Sequence, residues 1–461
     1  MSPTVMAIIM IVVVVVAIIW NKIPMNFIMF VIPVVCALIL GYNVSEISSA
    51  ILGQISSVMG SSGWMLLFSL IFFTMLTESG MFDIIIGKLL GIVGKKLNVF
   101  WVLILTAAIS AIAYLTANMS TTYLIVFPIM IPLFKRYKMD QRWAFIVCQS
   151  AIAMMCWLPW GIGVVNSAAM ASTAEVAVSA EQLATESIPY GLTILPVIIL
   201  QALYFSMQHK KKYGTLEAQA EEVADANAPK QEKEFARPKL FWFNLIVFVA
   251  VVLVLAVWNK PSRDPGWKIP SYLVFILGSI VLAMVNYPKD FGKIWNKSGM
   301  TFYNVLIMLI AICFYLAIFN IKKDGTPSMV DSLAGMLTSI FPSWLISLLV
   351  PIFLLLCVPI IRYVPYQVYN AMYPMLIAMG ATRGILPIAV IAPFVCQIAF
   401  ATSATLMNSA TFVGCSLCEQ DDVAGYVKYA SPIMFVSNAI SIVICLLLAL
   451  MKVGVFANFI W

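Results

Sequence analysis

Apolar runs close to the thickness of a bilayer recur along the whole chain, and this recurrence constrains the fold more than any motif does. They lie at about 5–20, 25–41, 64–77, 100–134, 143–170 and 188–206. After one long polar stretch they return at about 240–258, 270–286, 302–320, 343–380, 386–412 and 430–451. A helix needs roughly 17–25 apolar residues to cross a membrane. Backbone groups in lipid must be satisfied within the structure, so the expected fold is an all-α polytopic membrane protein. Of 461 residues, 62% are hydrophobic and only 10% charged, with a mean hydropathy of +1.00. A soluble domain is about half apolar and about a quarter charged. The first run, Val5 to Trp20, has no basic start and no small-residue cleavage site, so it reads as a retained span. The expected location is the cell membrane, with the lipid bilayer as the constant partner.

Other classes fall away. A net charge of +7 gives no sign of a nucleic-acid partner, and in a membrane protein basic residues mainly report orientation. The nine cysteines are scattered, most of them in apolar runs, which argues against a disulfide framework. Cys415 and Cys418 form a lone CxxC with no second pair and no nearby histidine, too little for a closed metal site. There is no HExxH, no GxSxG and no phosphate loop, so neither a soluble-enzyme motif nor ATP-driven transport within this chain is expected. No cofactor is implied beyond a coupling ion.

Two stretches repeat. Val147-Cys148-Gln149-Ser150-Ala151-Ile152-Ala153 and Val395-Cys396-Gln397-Ile398-Ala399-Phe400-Ala401 share five of seven residues at a spacing of 248. Pro24 and Pro270, Tyr42 and Tyr287, Gly80 and Gly325, and Pro128 and Pro374 keep nearly the same offset, 245 or 246. The chain therefore divides into a first repeat (1–207), a cytoplasmic linker (208–239) and a second repeat (240–461). Each repeat holds about five spans plus a re-entrant hairpin. An odd number of spans makes the repeats opposite in orientation. With the first terminus outside, fourteen basic residues, among them Lys135, Arg136, Lys138 and Lys210 to Lys212, fall in cytoplasmic segments, against seven outside. Inverted repeats with broken helices meeting at the midplane point to a secondary transporter.

Candidate site residues lie at the breaks. The run from Phe100 is interrupted by Thr116-Ala117-Asn118-Met119-Ser120-Thr121-Thr122 and resumes to Phe134, with basic clusters at both outer ends. Its tip offers Asn118, Ser120, Thr121 and Thr122 for a carboxylate or a cation. The blander role for these hydroxyls is back-bonding to the preceding turn. Pro159-Trp160-Gly161 should unwind its helix, with Asn166 just beyond. Ser403, Thr405, Asn408 and Ser409 occupy the equivalent place in the second half. Small polar residues of this kind also serve as packing glue. Arg362 falls at the second hairpin tip, where a buried arginine is costly and by default functional. It suits bidentate pairing with a substrate carboxylate, although snorkelling to the interface is the alternative. Cation or proton coupling falls to Ser120, Pro159, Gly161, Ser403, Thr405 and Glu78, with Glu78 as the acid closest to an apolar run. The Cys-Gln runs themselves read as helix packing.

Thr77-Glu78-Ser79-Gly80-Met81-Phe82-Asp83, Ser120-Thr121-Thr122-Tyr123-Leu124-Ile125 with Pro128, Pro132-Leu133-Phe134-Lys135-Arg136, and Leu158-Pro159-Trp160-Gly161 resemble the citrate–metal:proton symporter family. That family sits in the ion transporter superfamily with the dicarboxylate–sodium symporters. In the second half, Ala410-Thr411-Phe412 and Gly414 resemble its Ala-Thr-Tyr run. The resemblance implies inverted repeats, two re-entrant hairpins, a homodimeric scaffold and elevator-like movement. It also implies symport of a citrate-like carboxylate with sodium or protons. The family carries an acid shortly before Ser-Thr-Thr, where this chain has Ala117 or Asn118, and a second near the later tip, at about Tyr366. A free di- or tricarboxylate helped by Arg362 is therefore the expected substrate. The alternatives are metal-complexed citrate and a passive anion channel.

Overall fold

The computed structural model describes residues 2–20, 22–92, 98–172, 177–214, 235–255, 265–323, 325–364, 366–370 and 372–461. Helix forms across the apolar runs as expected, but many runs are cut into shorter pieces. Three helical stretches are long and apolar enough to cross a membrane: Val99–Thr116, Ala180–Tyr213 and Val423–Leu450. Ten further apolar helices have 10–17 residues. The cuts fall at proline, glycine and small polar residues, where backbone bonds are lost or diverted to side chains.

In chain order, α1 (Pro3–Trp20), α2 (Met25–Ile39), α3 (Val44–Val58) and α4 (Trp64–Glu78) open the first half. α5 (Met81–Ile92) follows as a short helix. α6 (Val99–Ala113) and α7 (Met119–Arg136) form a hairpin. α8 (Gln141–Met155) and α9 (Ile162–Ala171) flank the first break, and α10 (Ala180–Leu192) runs into α11 (Ile194–Tyr213). The second half has α12 (Phe241–Leu253), α13 (Ser271–Asn286), α14 (Phe291–Asn320) and α15 (Met329–Ile340). Its hairpin is built from α16 (Ser343–Ser347), α17 (Leu349–Ile361), α18 (Tyr366–Asn370) and α19 (Tyr373–Ala381). α20 (Pro387–Gln397), α21 (Ala399–Thr402) and α22 (Ser409–Leu417) surround the second break, and α23 (Val423–Leu450) closes the bundle.

Three local features complete this order. Residues 41–63, polar to mixed in composition, are mostly helical. Asn43 and Glu46 form a capping box that starts α3, and the helix passes through a π segment, Met59–Gly63, directly into α4. The connection after α9 ends at Ser179, whose hydroxyl accepts from the Gln182 N–H and starts α10. α11 continues past 207 to Tyr213, into the expected linker, where His209 is 3% exposed and lies 3.0 Å from the Tyr137 carbonyl. Most of the linker, 215–234, lies outside the described residues.

The helices sort into two packed groups. α1 to α4 pack with α12 to α15 in one group, and α6 to α11 pack with α16 to α23 in the other. α9 and α19 reach across, contacting α14 and α15 respectively. An aromatic cluster fills part of the seam. The Trp160 ring stacks on Phe73 of α4 at 5.5 Å and meets Phe275 of α13 edge-on at 6.0 Å.

Candidate functional site

The first hairpin turns on backbone geometry and one cap. α6 tightens into a 3-10 turn at Tyr114–Thr116, and Ala117 takes a left-handed conformation with φ of 56°. Asn118 then starts α7 by accepting from the Thr121 N–H at 3.0 Å. The Thr122 hydroxyl donates to the Asn118 carbonyl at 2.9 Å and is fully buried, so its role is the local one. Ser120 and Thr121 are half-buried at the tip.

The first break packs directly on this tip. The Gly161 N–H donates to Leu158 O at 2.8 Å, and the Trp160 indole N–H donates to Leu115 O at 3.0 Å. A Cβ on Gly161 would lie 2.9 Å from Leu158 O and 3.8 Å from Ala117 Cβ. Glycine is what lets the chain turn this tightly over Leu158 O, with the tip at ordinary contact distance. Pro159 sits half-buried in the turn, and α9 begins at Ile162 with its first N–H groups on the break side. Asn166, expected at the break, lies a turn inside α9, 4% exposed, on a helix that packs on α14, α19 and α20.

The second break is held by side chains. Thr402 O accepts from Asn408 Nδ2 at 2.9 Å and from the Thr411 hydroxyl at 3.1 Å. Asn408 also caps α22 through Ala410 N–H at 3.1 Å, and Ser409 is the first residue of that helix. The Thr405 hydroxyl donates to Arg362 O at 3.2 Å and accepts from Met407 N–H, tying the second hairpin tip to the break. The Arg362 guanidinium is half-exposed and lies 5.4 Å from the Tyr363 ring centre. Among the described residues no carboxylate forms an ion pair with it. Ser403 is fully buried, with its hydroxyl unpartnered among the described residues.

The two halves meet across these parts. The Thr402 hydroxyl lies 3.7 Å from the Met119 sulfur at the first hairpin tip. Gln149, from the first repeated run, donates through Nε2 to Ala399 O at 2.6 Å and to Thr402 Oγ1 at 2.9 Å. Its Oε1 accepts from the Tyr123 hydroxyl of α7. Gln149 is fully buried, so reading the Cys-Gln run as packing understated it: the residue ties α7 and α8 to the second break. An amide inside a membrane protein must find partners, and that was the available signal.

One expected residue is elsewhere. Glu78 pairs with Lys297 at 2.8 Å, its side chain 13% exposed, at the end of α4 in the other helix group. That ion pair already occupies its charge, and Glu78 does not join the tips. A cavity of about 810 Å³ also lies away from them, between α11 and α23, lined by Leu200, Gln201, Tyr204, Tyr429, Pro432 and Val436.

Two hairpins and two broken helices converging in a bundle that is all-helical among the described residues define a class, the polytopic α-helical membrane proteins. The fold aligns with the YdaH transporter of Alcanivorax borkumensis over 99% of this chain and 100% of that one, with a TM-score of 0.62 and 12% identity. It also aligns with the MtrF efflux pump of Neisseria gonorrhoeae over 96% of this chain and 95% of that one, at a TM-score of 0.55 and 12% identity. Those likenesses establish the fold alone. The chain belongs to the CitMHS citrate transporter family, whose pattern matches residues 15–394. Among its relatives in Bacillus subtilis (strain 168), a Mg(2+)/citrate complex secondary transporter is 25% identical over 312 residues, 67% of each chain. A second, a citrate transporter, is 26% identical over 328 residues, 70% of each chain. The family and these relatives are transporters, in keeping with the lack of soluble-enzyme motifs.

Proposed function

We propose that this chain is a plasma-membrane symporter that carries a citrate-like di- or tricarboxylate with sodium or protons. Its two halves act as inverted repeats. The hairpins and breaks move together as an elevator against the other helix group, within a homodimer. One observation carries the reading: Arg362, with no acid paired to it among the described residues, stands beside Thr405 where the second hairpin meets the second break. A guanidinium in that position suits bidentate capture of a carboxylate. Ser120 and Thr121 at the first tip add hydroxyls without adding charge.

The test is uptake of labelled citrate into liposomes holding the purified chain, under imposed sodium or proton gradients. Saturable uptake with stimulation by citrate on the far side is the expected result. Uptake that never saturates and shows no such exchange would mark a passive channel. The names of the relatives favour a second reading, metal-complexed citrate. Magnesium in the assay, set against EDTA, separates the two. The absence of an acid at Ala117, Asn118 and Tyr366 argues for the free anion, so uptake is expected to persist in EDTA.

A further inference from the structure

Behind the second break lies a polar network that the carboxylate site does not use. Gln397, Asn438, Ser441 and Cys357 are fully buried, and Thr193 is 5% exposed. Gln397 Nε2 donates to Ser441 Oγ at 2.7 Å, and Ser441 Oγ lies 2.7 Å from Thr193 Oγ1. Thr193 in turn donates to Tyr190 O at 2.7 Å. Asn438 Nδ2 donates to Leu354 O at 2.7 Å and lies 3.4 Å from Cys357 Sγ, which itself approaches Gln397 O at 3.9 Å. No acidic or basic side chain belongs to the network.

Proton bookkeeping fixes the orientation of both amides. Thr193 spends its single proton on Tyr190 O, so Ser441 must donate to Thr193. Ser441 then has only an acceptor to offer Gln397, so the Gln397 NH2 must face it. Leu354 O accepts only, so the Asn438 NH2 must face Leu354. Hydroxyl and amide capacities allow no other arrangement of these bonds. Two carbonyl oxygens, Gln397 Oε1 and Asn438 Oδ1, are left buried and unpartnered among the described residues. Gln54 Oε1, Gln201 Oε1 and Asn370 Oδ1 are orphaned too, but none shares a hydrogen-bonded cluster with a second such oxygen, and the other orphans differ in kind. Asn244 Nδ2 and Asn286 Oδ1 are a donor and an acceptor, and the Ser403 and Tyr426 hydroxyls can each act as either. Two acceptors cannot satisfy one another.

Both orphans belong to one cluster. Asn438 and Ser441 are one turn apart on α23, Gln397 bonds to Ser441, and Cys357 touches Asn438 and the Gln397 carbonyl. Gln397 also ends α20, so the partial negative charge of that helix terminus adds to the two oxygens. The site calls for a positive or donating guest. Neutral oxygens suit a singly charged ion, because a divalent ion would lose its water shell with no carboxylate to replace it. We propose that Gln397, Asn438 and Ser441 hold one sodium ion between α20 and α23, with α17 against it. Cys357 precedes Arg362 on α17 by five residues, and Gln397 precedes Thr402 by the same number. A guest here would therefore brace the helices that carry the carboxylate site. Its role as the coupled ion rests on the symport reading above.

The test uses the purified full chain without citrate. Thermal unfolding is followed in sodium, lithium, potassium and choline chlorides at equal ionic strength, and radioactive sodium binding is measured directly. A saturable rise in Tm specific to sodium is expected. Asn438→Leu and Gln397→Leu should abolish both the rise and the binding. Gln397→Glu should tighten sodium about tenfold by adding a charge, because the Ser441 hydroxyl can turn its proton to the new carboxylate, and it tests the site even where the leucine variants fail to fold. Equal Tm in all four salts with no retained sodium would overturn the proposal and leave water as the guest. Absence of sodium binding by the unaltered chain, with its citrate uptake intact, sinks this site alone. Sodium binding without carboxylate uptake under any gradient sinks the transport reading alone.

Discussion

At the first break the chain turns on Pro159, Trp160 and Gly161, and main-chain and indole bonds fasten it to the neighbouring hairpin tip. At the second, Gln149, Asn408, Thr402, Thr405 and Thr411 do the fastening through side chains, and the bonds cross between halves. The first break depends on shape. The second depends on hydrogen bonds, and Arg362, with no ion pair among the described residues, stands beside it. The two breaks thus differ in what holds them: close packing at the first and side-chain hydrogen bonds at the second.

The largest effect that would break this contrast is at Arg362. Arg362→Ala should lower citrate uptake by about 100-fold or more, the worth of a lost bidentate charge-assisted pair of roughly 3 kcal/mol. Near-normal uptake by that variant would take the chemistry off the second tip. Next comes Gln149→Leu, which strands the Tyr123 hydroxyl in the interior and leaves Ala399 O with the Thr402 hydroxyl alone. It should destabilise the chain by about 2–4 kcal/mol, read as a drop in Tm. In sodium-free buffer Gln397→Leu should cost less, because its Oε1 has no partner to strand. Equal losses would erase the difference between the two repeated glutamines.

Gly161→Ala tests shape against chemistry. A methyl group 2.9 Å from Leu158 O should cost about 1–3 kcal/mol in overpacking and slow uptake without changing which anions compete. A change in anion preference would move the first break into the recognition surface. The smallest effect expected is at the caps. Asn408→Ala and Asn118→Ala should each cost about 1 kcal/mol. Hydrogen exchange should rise more in the nine-residue α22 than in the eighteen-residue α7, because a short helix loses a larger share of its bonds.

Much of this was legible in the sequence because proline, glycine and clustered small polar residues mark breaks wherever they fall. Asn118, Gly161, Thr405 and Asn408 were found that way. Gln149 was passed over because a single amide in an apolar heptad looks like packing until its partners, 250 residues away, are in view. Glu78 misled for the opposite reason. Its nearness to an apolar run suggested a buried carrier, while Lys297, which neutralises it, lies 219 residues further on. Helix over Val44–Val58 is hard to see in the sequence because polar composition hides helix when the signal is a capping box and not hydropathy. Local chemistry is written locally, and cross-half pairings are not.

The π segment at Met59–Gly63 has a mechanical side. α9, the helix that leaves the first break, rests on that segment and on α14. α14 is one unbroken helix of 30 residues, whereas the π turn has a wider bore and a looser bond ladder. The seat of α9 therefore has one hard rail and one soft rail. Load placed on α9 is taken up first by the yielding side, so its compliance has a direction set by five residues in the opposite group of helices.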